Sequence, residues 1–224
     1  MDYTPQFSVI WNNIGFFIQG VFLTLQIVVV AITFGLLFGI IGALGRTSHN
    51  RIFKGVATAY VEFFRNTPFL IQLFFFFFGL PSIGVRMSPW QAAVLALSIN
   101  FGAYSTEIIR AGIEGIDKGQ VEAGMALGFK QFQIFRHIVL IPALGKVYPA
   151  LVSQVVIAVL FSSVVSQISA EELTFVGNYL QSRTFRSFEI YLAISLIYVA
   201  LVWAIKGMAY LIQRKFFAFT QYIR

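Results

Sequence analysis

Glu62 and Arg65 stand three residues apart, and Glu107 and Arg110 repeat the spacing. On a helix each pair shares one face and is close enough to form an ion pair. Both pairs lie in strongly apolar runs, where a charge is expensive and requires a partner or a path. The spacing predicts structural ion pairs tying the second and third apolar runs together; a role in carrying a substrate or an ion is the alternative. A second pattern is Gln154, Ala158, Ser162, Ser166 and Ser169, which fall within a sector of about 120° at 100° per residue. Small and hydroxyl residues at such spacing mediate close helix packing. The same face also suits a polar path, since amides and hydroxyls can satisfy both an ammonium and a carboxylate. Gln72, Asn100 and Tyr104 are the residues of other runs that could join it. Covalent chemistry has no support. Nothing resembles a nucleophile elbow, a phosphate-binding glycine loop or His/Asp metal spacing, so neither catalytic nor metal-ligating residues are expected. His49 and His137 lie beside basic residues and read as solvated or headgroup-facing.

The elements that must hold these residues follow from composition. Of 224 residues, 58% are hydrophobic and 11% charged, against about 25% charged in soluble domains. Such a chain cannot cover its own surface, and lipid must be its solvent. Five apolar segments stand out, at 15–45, 56–80, 89–110, 143–170 and 188–212. The reading is an all-α integral membrane protein of about five transmembrane helices. The first segment exceeds the hydrocarbon thickness, so it tilts or begins in the interface. It lacks the preceding basic residues and the cleavage site of a secretory signal, and is expected to be retained. Gly35, Gly39 and Gly42 give it a small face suited to packing. Phe74 to Phe78 read as lipid contact or helix packing. Without cysteines there are no disulfides or thiolate metal sites.

Charge sets the orientation. Arg46, Arg51, Lys54, Arg110, Lys118, Lys130, Arg136, Lys146, Arg214, Lys215 and Arg224 fall on one side if the segments alternate; Arg86, Arg183 and Arg186 fall on the other. The positive-inside rule makes the first group cytoplasmic. Residues 1–14 are then extracytoplasmic, 15–214 form the membrane domain with a cytoplasmic loop at 114–142, and 215–224 form a cytoplasmic tail. Arg65 and Lys206 are placed near cytoplasmic ends, where long side chains snorkel. The net charge of +7 is thereby explained by topology, and nucleic acid is not an expected partner.

The cytoplasmic loop is longer than a turn requires. Val121, Met125, Leu127 and Phe129 alternate with small Ala123, Gly124, Ala126 and Gly128. Small residues let another surface approach the backbone closely, so a short helix here suits a groove on another protein. Phe132, Phe135, Ile138 and Val139 follow at helical spacing. The alternative is a pair of interfacial helices with no protein partner.

The segment "EAGMALGFKQFQIFRHIVLIPAL" resembles the EAA loop of type I ABC-importer permeases, through Glu122, Ala123 and Gly124, then Gly128, then an Ile-x-Leu near Pro142. "YVEFFRNTPFLIQLFFFFFGLP" and "GAYSTEIIRAGIEGIDKGQVEAG" are similar to the polar amino acid branch of that family, of histidine, glutamine and arginine type. The resemblance implies a multi-pass permease subunit of the bacterial inner membrane, working by alternating access. It implies a second permease subunit, a binding protein on the outer face, and a cytoplasmic dimer of ATP-binding subunits. ATP and Mg would be bound by that partner and no cofactor by this chain. Glu122, Ala123, Gly124, Ala126, Leu127, Gly128 and Phe129 would form the coupling helix. Three departures stand out. Gly124 replaces the usual alanine, and the proline comes one residue late, at Pro142. Leu160 and Phe161 stand where the family often has Lys-Asp before Ser162 and Ser163. A substrate with different demands, or a non-identical partner permease, would account for the last, and a heterodimer is favoured. The rivals are an importer of another small polar solute and a stand-alone channel or secondary transporter. No acid is expected deep in the spans far from their cytoplasmic ends, which counts against proton coupling.

Overall fold

The computed structural model describes residues 4–217, and every element among them is helical. Arg224 and most of the expected tail, like Met1 to Tyr3, lie outside the described residues. Four helices are long and apolar enough to cross a membrane: α2 (Ile14–Arg46), α5 (Pro89–Glu114), the continuous helix Gln131–Ile168 and α10 (Ser187–Phe216). A fifth crossing is broken. Helix α3 (Arg51–Arg65) and the helical stretch Phe69–Ile83, which begins with α4 (Phe69–Phe74), meet at a bend of 109°. Short helix α1 (Ser8–Asn12) precedes the first span, and α6 (Lys118–Ala126) and α9 (Leu173–Thr184) lie between spans.

The bend corrects the expectation of one uninterrupted second span, and its cause is local. Pro68 disfavours a helical conformation at Thr67, and the Asn66 amide folds back to the Glu62 carbonyl at 2.8 Å. Gln72 then clamps the corner. Its Nε2 lies 2.8 Å from the Phe64 carbonyl, 3.0 Å from that of Thr67 and 2.8 Å from the Thr67 hydroxyl. Beyond α4 the chain passes through a π turn, Phe75–Gly79, and a 3-10 turn, Leu80–Ile83. It stops at Gly84, whose φ of 89° suits glycine.

Helices α2 and α5 run in the same direction as the central pair. Gly35 faces Ser98 and Phe101, Gly39 faces Ser105, and Gly42 faces Thr106. A Cβ on Gly39 would come within 2.7 Å of the Ser105 Cβ, so the glycines set the distance between the two axes. Ser88 caps α5 in a reciprocal box with Gln91, and Pro89 occupies the first turn, where its missing N–H costs nothing.

The fourth span departs from its expected start near residue 143. Its helix begins at α7 (Gln131–Gln133) and passes through a π segment, Ile134–Val139, into α8 (Leu140–Phe161). It ends in a 3-10 segment, Ser162–Ile168. Pro142 therefore does not mark a boundary, and Pro149 lies inside α8.

Two apolar cores fill the interior. One joins Ile27, Leu73, Leu97, Val165 and Ile168; the other joins Phe17, Val28, Leu173 and Ile190. The outside is apolar as well: Trp203 is 74% exposed, and Phe22, Phe63 and Leu211 are nearly as bare. Contiguous apolar surface on this scale belongs against lipid. The molecule has two distinct ends. At one, Gln6 N–H donates to Glu189 (2.7 Å) and Arg186 donates to the Thr4 carbonyl (3.1 Å). At the other, Arg46 meets Glu107, and Lys146 donates to the Gly115 carbonyl at 2.6 Å.

Candidate docking surface and polar path

Helix α6 starts where Asp117 accepts the Gly119 N–H at 2.7 Å. It ends in paired carbonyl-capping bonds, Phe129 N–H to Gly124 (3.1 Å) and Gly128 N–H to Met125 (2.9 Å), with Gly128 at φ 80°. Gly128 is thus required by the turn. Gly124 faces inward, because a Cβ there would meet Ile138 at 2.6 Å and Ile134 at 3.3 Å. Glu122, Ala123, Ala126, Leu127, Gly128 and Phe129 are exposed. Leu127 at 76% and Phe132 at 70% make the tip apolar, and exposed Met125 and Phe135 extend it. Phe132 and Phe135 were not singled out for docking from sequence, although an apolar residue in a charged loop is the available signal.

Four charged residues were expected to form ion pairs between the second and third spans. Glu107 pairs with Arg110 at 2.7 Å, and Arg110 also pairs with Glu114. Glu107 further binds Arg46 at 3.0 Å, and Arg46 donates to Thr58 at 2.9 Å. The link therefore joins the first and third spans, with α3 attached through a hydroxyl. Glu62 and Arg65 do not pair. Glu62 accepts from the Asn66 amide at 3.0 Å, and the Arg65 guanidinium lies 5.3 Å from the Tyr104 ring centre. Both are exposed on the isolated subunit. The Asn66 turn before Pro68 occupies Glu62, and Tyr104 offers Arg65 a π face. Arg65 is the last residue of α3, and the Tyr104 that it faces stands ten residues before the end of α5, about 15 Å along the axis.

Of the candidate path residues, Gln72 and Asn100 come together, with the Asn100 amide donating to Gln72 Oε1 at 3.0 Å. Tyr104 joins Arg65 instead. Gln154 is buried in α8. Ser162 and Ser166 are buried too, and their hydroxyls donate back to Val159 (2.6 Å) and Ser163 (2.8 Å) carbonyls. The change to 3-10 winding at Ser162 ends the 100° periodicity, and Ser169 turns out to solvent at φ 62°. It is Ser163 that opens on a cleft of about 380 Å³, with Leu160, Ser195, Tyr198 and Trp203.

Two acids were missed. Glu172 is wholly buried; it accepts from Phe175 N–H (2.8 Å) and the Tyr198 hydroxyl (2.6 Å), and it starts α9. Burial pushes its carboxyl above the ordinary range, against the pull of these donors. Glu189 is equally buried near Arg186 at 3.8 Å. Both stand at the end opposite the basic residues, Glu172 between two spans and Glu189 in the first turn of α10. The three-residue spacing applied to the other pairs would have found Glu189; glutamate is an unusual helix cap, and Glu172 had no such signal.

The chain is similar to known proteins along nearly its whole length. A putative glutamine transport system permease protein of Rickettsia conorii is 36% identical, with 92% of this chain and 94% of that protein covered. The arginine transport system permease protein ArtQ of Bacillus subtilis is also 36% identical, covering 93% and 96%. The crystal structure of an amino acid ABC transporter with histidines superposes with a TM-score of 0.90 at 35% identity, covering 95% of this chain and 100% of that one. Residues 35–218 match the profile of the binding-protein-dependent transport system inner membrane component. The chain belongs to that family of bacterial inner-membrane permeases.

Proposed function

We propose that this chain is the permease subunit of an ATP-driven importer for a polar amino acid, of the glutamine or arginine type named for its relatives. The observation that carries this reading is α6. It is exposed and apolar at its tip, and Gly124 seats it on Ile134 and Ile138 of the helix that continues across the membrane. A partner pressing on α6 would act directly on a span. That partner is a dimer of ATP-binding subunits, which holds the ATP and Mg; this chain contributes no covalent chemistry. A second permease subunit completes the path, and a non-identical one is favoured because Leu160 and Phe161 replace the family's charged pair. A binding protein delivers substrate to the end bearing Ser88 and α9. The basic end is cytoplasmic, with the N-terminus outside.

The test is the assembled complex in lipid vesicles with its binding protein. Glutamine or arginine is expected to raise ATP hydrolysis, and Leu127→Glu to abolish co-purification of the ATP-binding subunit by setting a charge in its groove. Stimulation only by a solute other than an amino acid would overturn the substrate class. Normal co-purification of the Leu127→Glu complex would overturn the docking role.

A further inference from the structure

Helices α2 and α3 touch at the basic end, where one stops and the other starts. Gly45 permits the contact, since a Cβ on it would meet the Ala57 Cβ at 2.7 Å and the Phe53 ring at 3.3 Å. Further into the membrane a groove of about 340 Å³ opens between the two helices. Phe38 and Ile41 line it on α2, Phe53, Val56 and Tyr60 on α3, and Ile99 of α5 lies behind. Gly102 of α5 makes room for both walls, because a Cβ there would meet the Tyr60 hydroxyl at 2.6 Å and the Phe38 Cβ at 2.7 Å. The Tyr60 hydroxyl donates inward to the Ile99 carbonyl at 2.7 Å, so the groove presents no polar group. It runs along α3 from Phe53 to Phe64, about 16 Å. One leaflet of hydrocarbon is about 15 Å deep. Its rim is apolar as well. Leu37 and Leu44 beside Ile41, and Ile52 and Phe63 beside Val56, lie within about 60° of those residues at 100° per residue, and all four are exposed. Such a rim faces lipid.

The mouth of the groove is basic. Arg51 and Lys54 stand exposed in the first turn of α3, and among the described residues no acid pairs with either. Arg46, at the same end, is already committed to Glu107 and Thr58. Side chains on a helix lean toward its N-terminus, so Arg51 and Lys54 extend past the end of the groove into the headgroup layer. We infer that this groove is a lipid site: it holds one acyl chain of an anionic glycerophospholipid from the leaflet at the basic end, with the phosphate on Arg51 and Lys54. The chain alone does not select, because a lipid tail gains no more from apolar walls than from other tails. The headgroup does. Each basic residue near the surface favours an anionic lipid by about fivefold, and two together by about thirtyfold. A protein helix suits the groove less well, since helices dock in membranes through small or hydrogen-bonding residues and these four rim residues are bulky and apolar. The inference goes beyond the proposed function and does not depend on which solute is carried.

The probe is phosphatidylglycerol with a photoreactive diazirine at the end of one acyl chain. It is compared with phosphatidylcholine bearing the same chain, at equal mole fraction, in phosphatidylethanolamine vesicles containing the assembled complex. After irradiation and digestion, phosphatidylglycerol is expected to label the inner end of the groove, around Phe38 and Phe64, about tenfold or more above phosphatidylcholine. Arg51→Gln combined with Lys54→Gln should bring the two lipids level there, by removing the charge and sparing the walls. Val56→Trp, which fills the groove, should remove the label of both. Equal labelling by the two lipids in the wild type would reduce the groove to ordinary lipid contact and overturn the site. A preference that survives in the double glutamine variant would overturn the headgroup contact, and label kept in an assembled Val56→Trp complex would place the chain elsewhere. Label from neither lipid would assign the groove to the second permease subunit and overturn the inference as well. Should Val56→Trp fail to assemble, the ratio of the two lipids in the double variant, whose changes lie on the surface, still decides.

Discussion

Gln72 and Glu172 illustrate how single polar side chains hold this subunit in shape. Each is buried and each reaches across a chain interruption, Gln72 over the Pro68 corner and Glu172 from the start of α9 to Tyr198. Replacing Gln72 with leucine removes the donor to Phe64 and Thr67 and strands the Asn100 amide. Leaving buried polar groups unpaired costs about 1–3 kcal/mol, so Gln72→Leu should lower the thermal midpoint of the purified subunit by several degrees. An unchanged melting curve would show that the corner holds without it. Neither role was readable from sequence. Gln72 was picked as a path residue because it is polar in an apolar run, and its partner Asn100 lies 28 positions away. Ser162 and Ser166 were picked on helical phase, and the tightened winding that begins at Ser162 turns that phase out of line.

At the scale of elements, apolar length and small-residue spacing were enough to find α2, α5 and α10, and to read Gly35, Gly39 and Gly42 as a contact face. Those signals are local and repeat every turn. The bend in the second span was not found, because the polar stretch Arg65, Asn66, Thr67 and Pro68 is short and the apolar run resumes at once at Phe69, so that hydropathy alone joins the two arms. The close approach of α2 and α5 makes a paired prediction. Ser105 is buried, and its hydroxyl has no hydrogen-bond partner in the structure. Ser105→Ala should therefore leave stability unchanged or raise it, since an unsatisfied buried hydroxyl is a cost. Gly39→Leu should prevent folding, because its first carbon already meets Ser105. Membrane expression levels with melting curves decide both, and a well-folded Gly39→Leu would mean that the axes can separate.

The whole molecule is organised by its two ends. Gln6 against Glu189 places the N-terminal segment beside the start of α10, and Tyr148 donating to the Ala209 carbonyl at 2.8 Å places the start of α8 beside the end of α10. Single cysteines at Ser48 and Ser187 should consequently label from opposite sides of intact vesicles, Ser187 from outside; labelling from one side would refute the arrangement. In the sequence only the basic residues bear on this polarity. It did not convey that the docking surface and the fourth span are one object. The helix from Gln131 to Ile168 is about 57 Å long. It is gripped near one end through Gly124 against Ile134 and Ile138, and at the other by Val165 and Ile168 in the core. Between them Pro149 leaves the Gly145 carbonyl without its helical N–H, the usual weak point of a long helix. A rod held at both ends and softened within is a jointed strut. If α6 is the docking site proposed above, a push on that end would be taken up as a change of bend at Pro149, and the two halves of one helix would then turn separately.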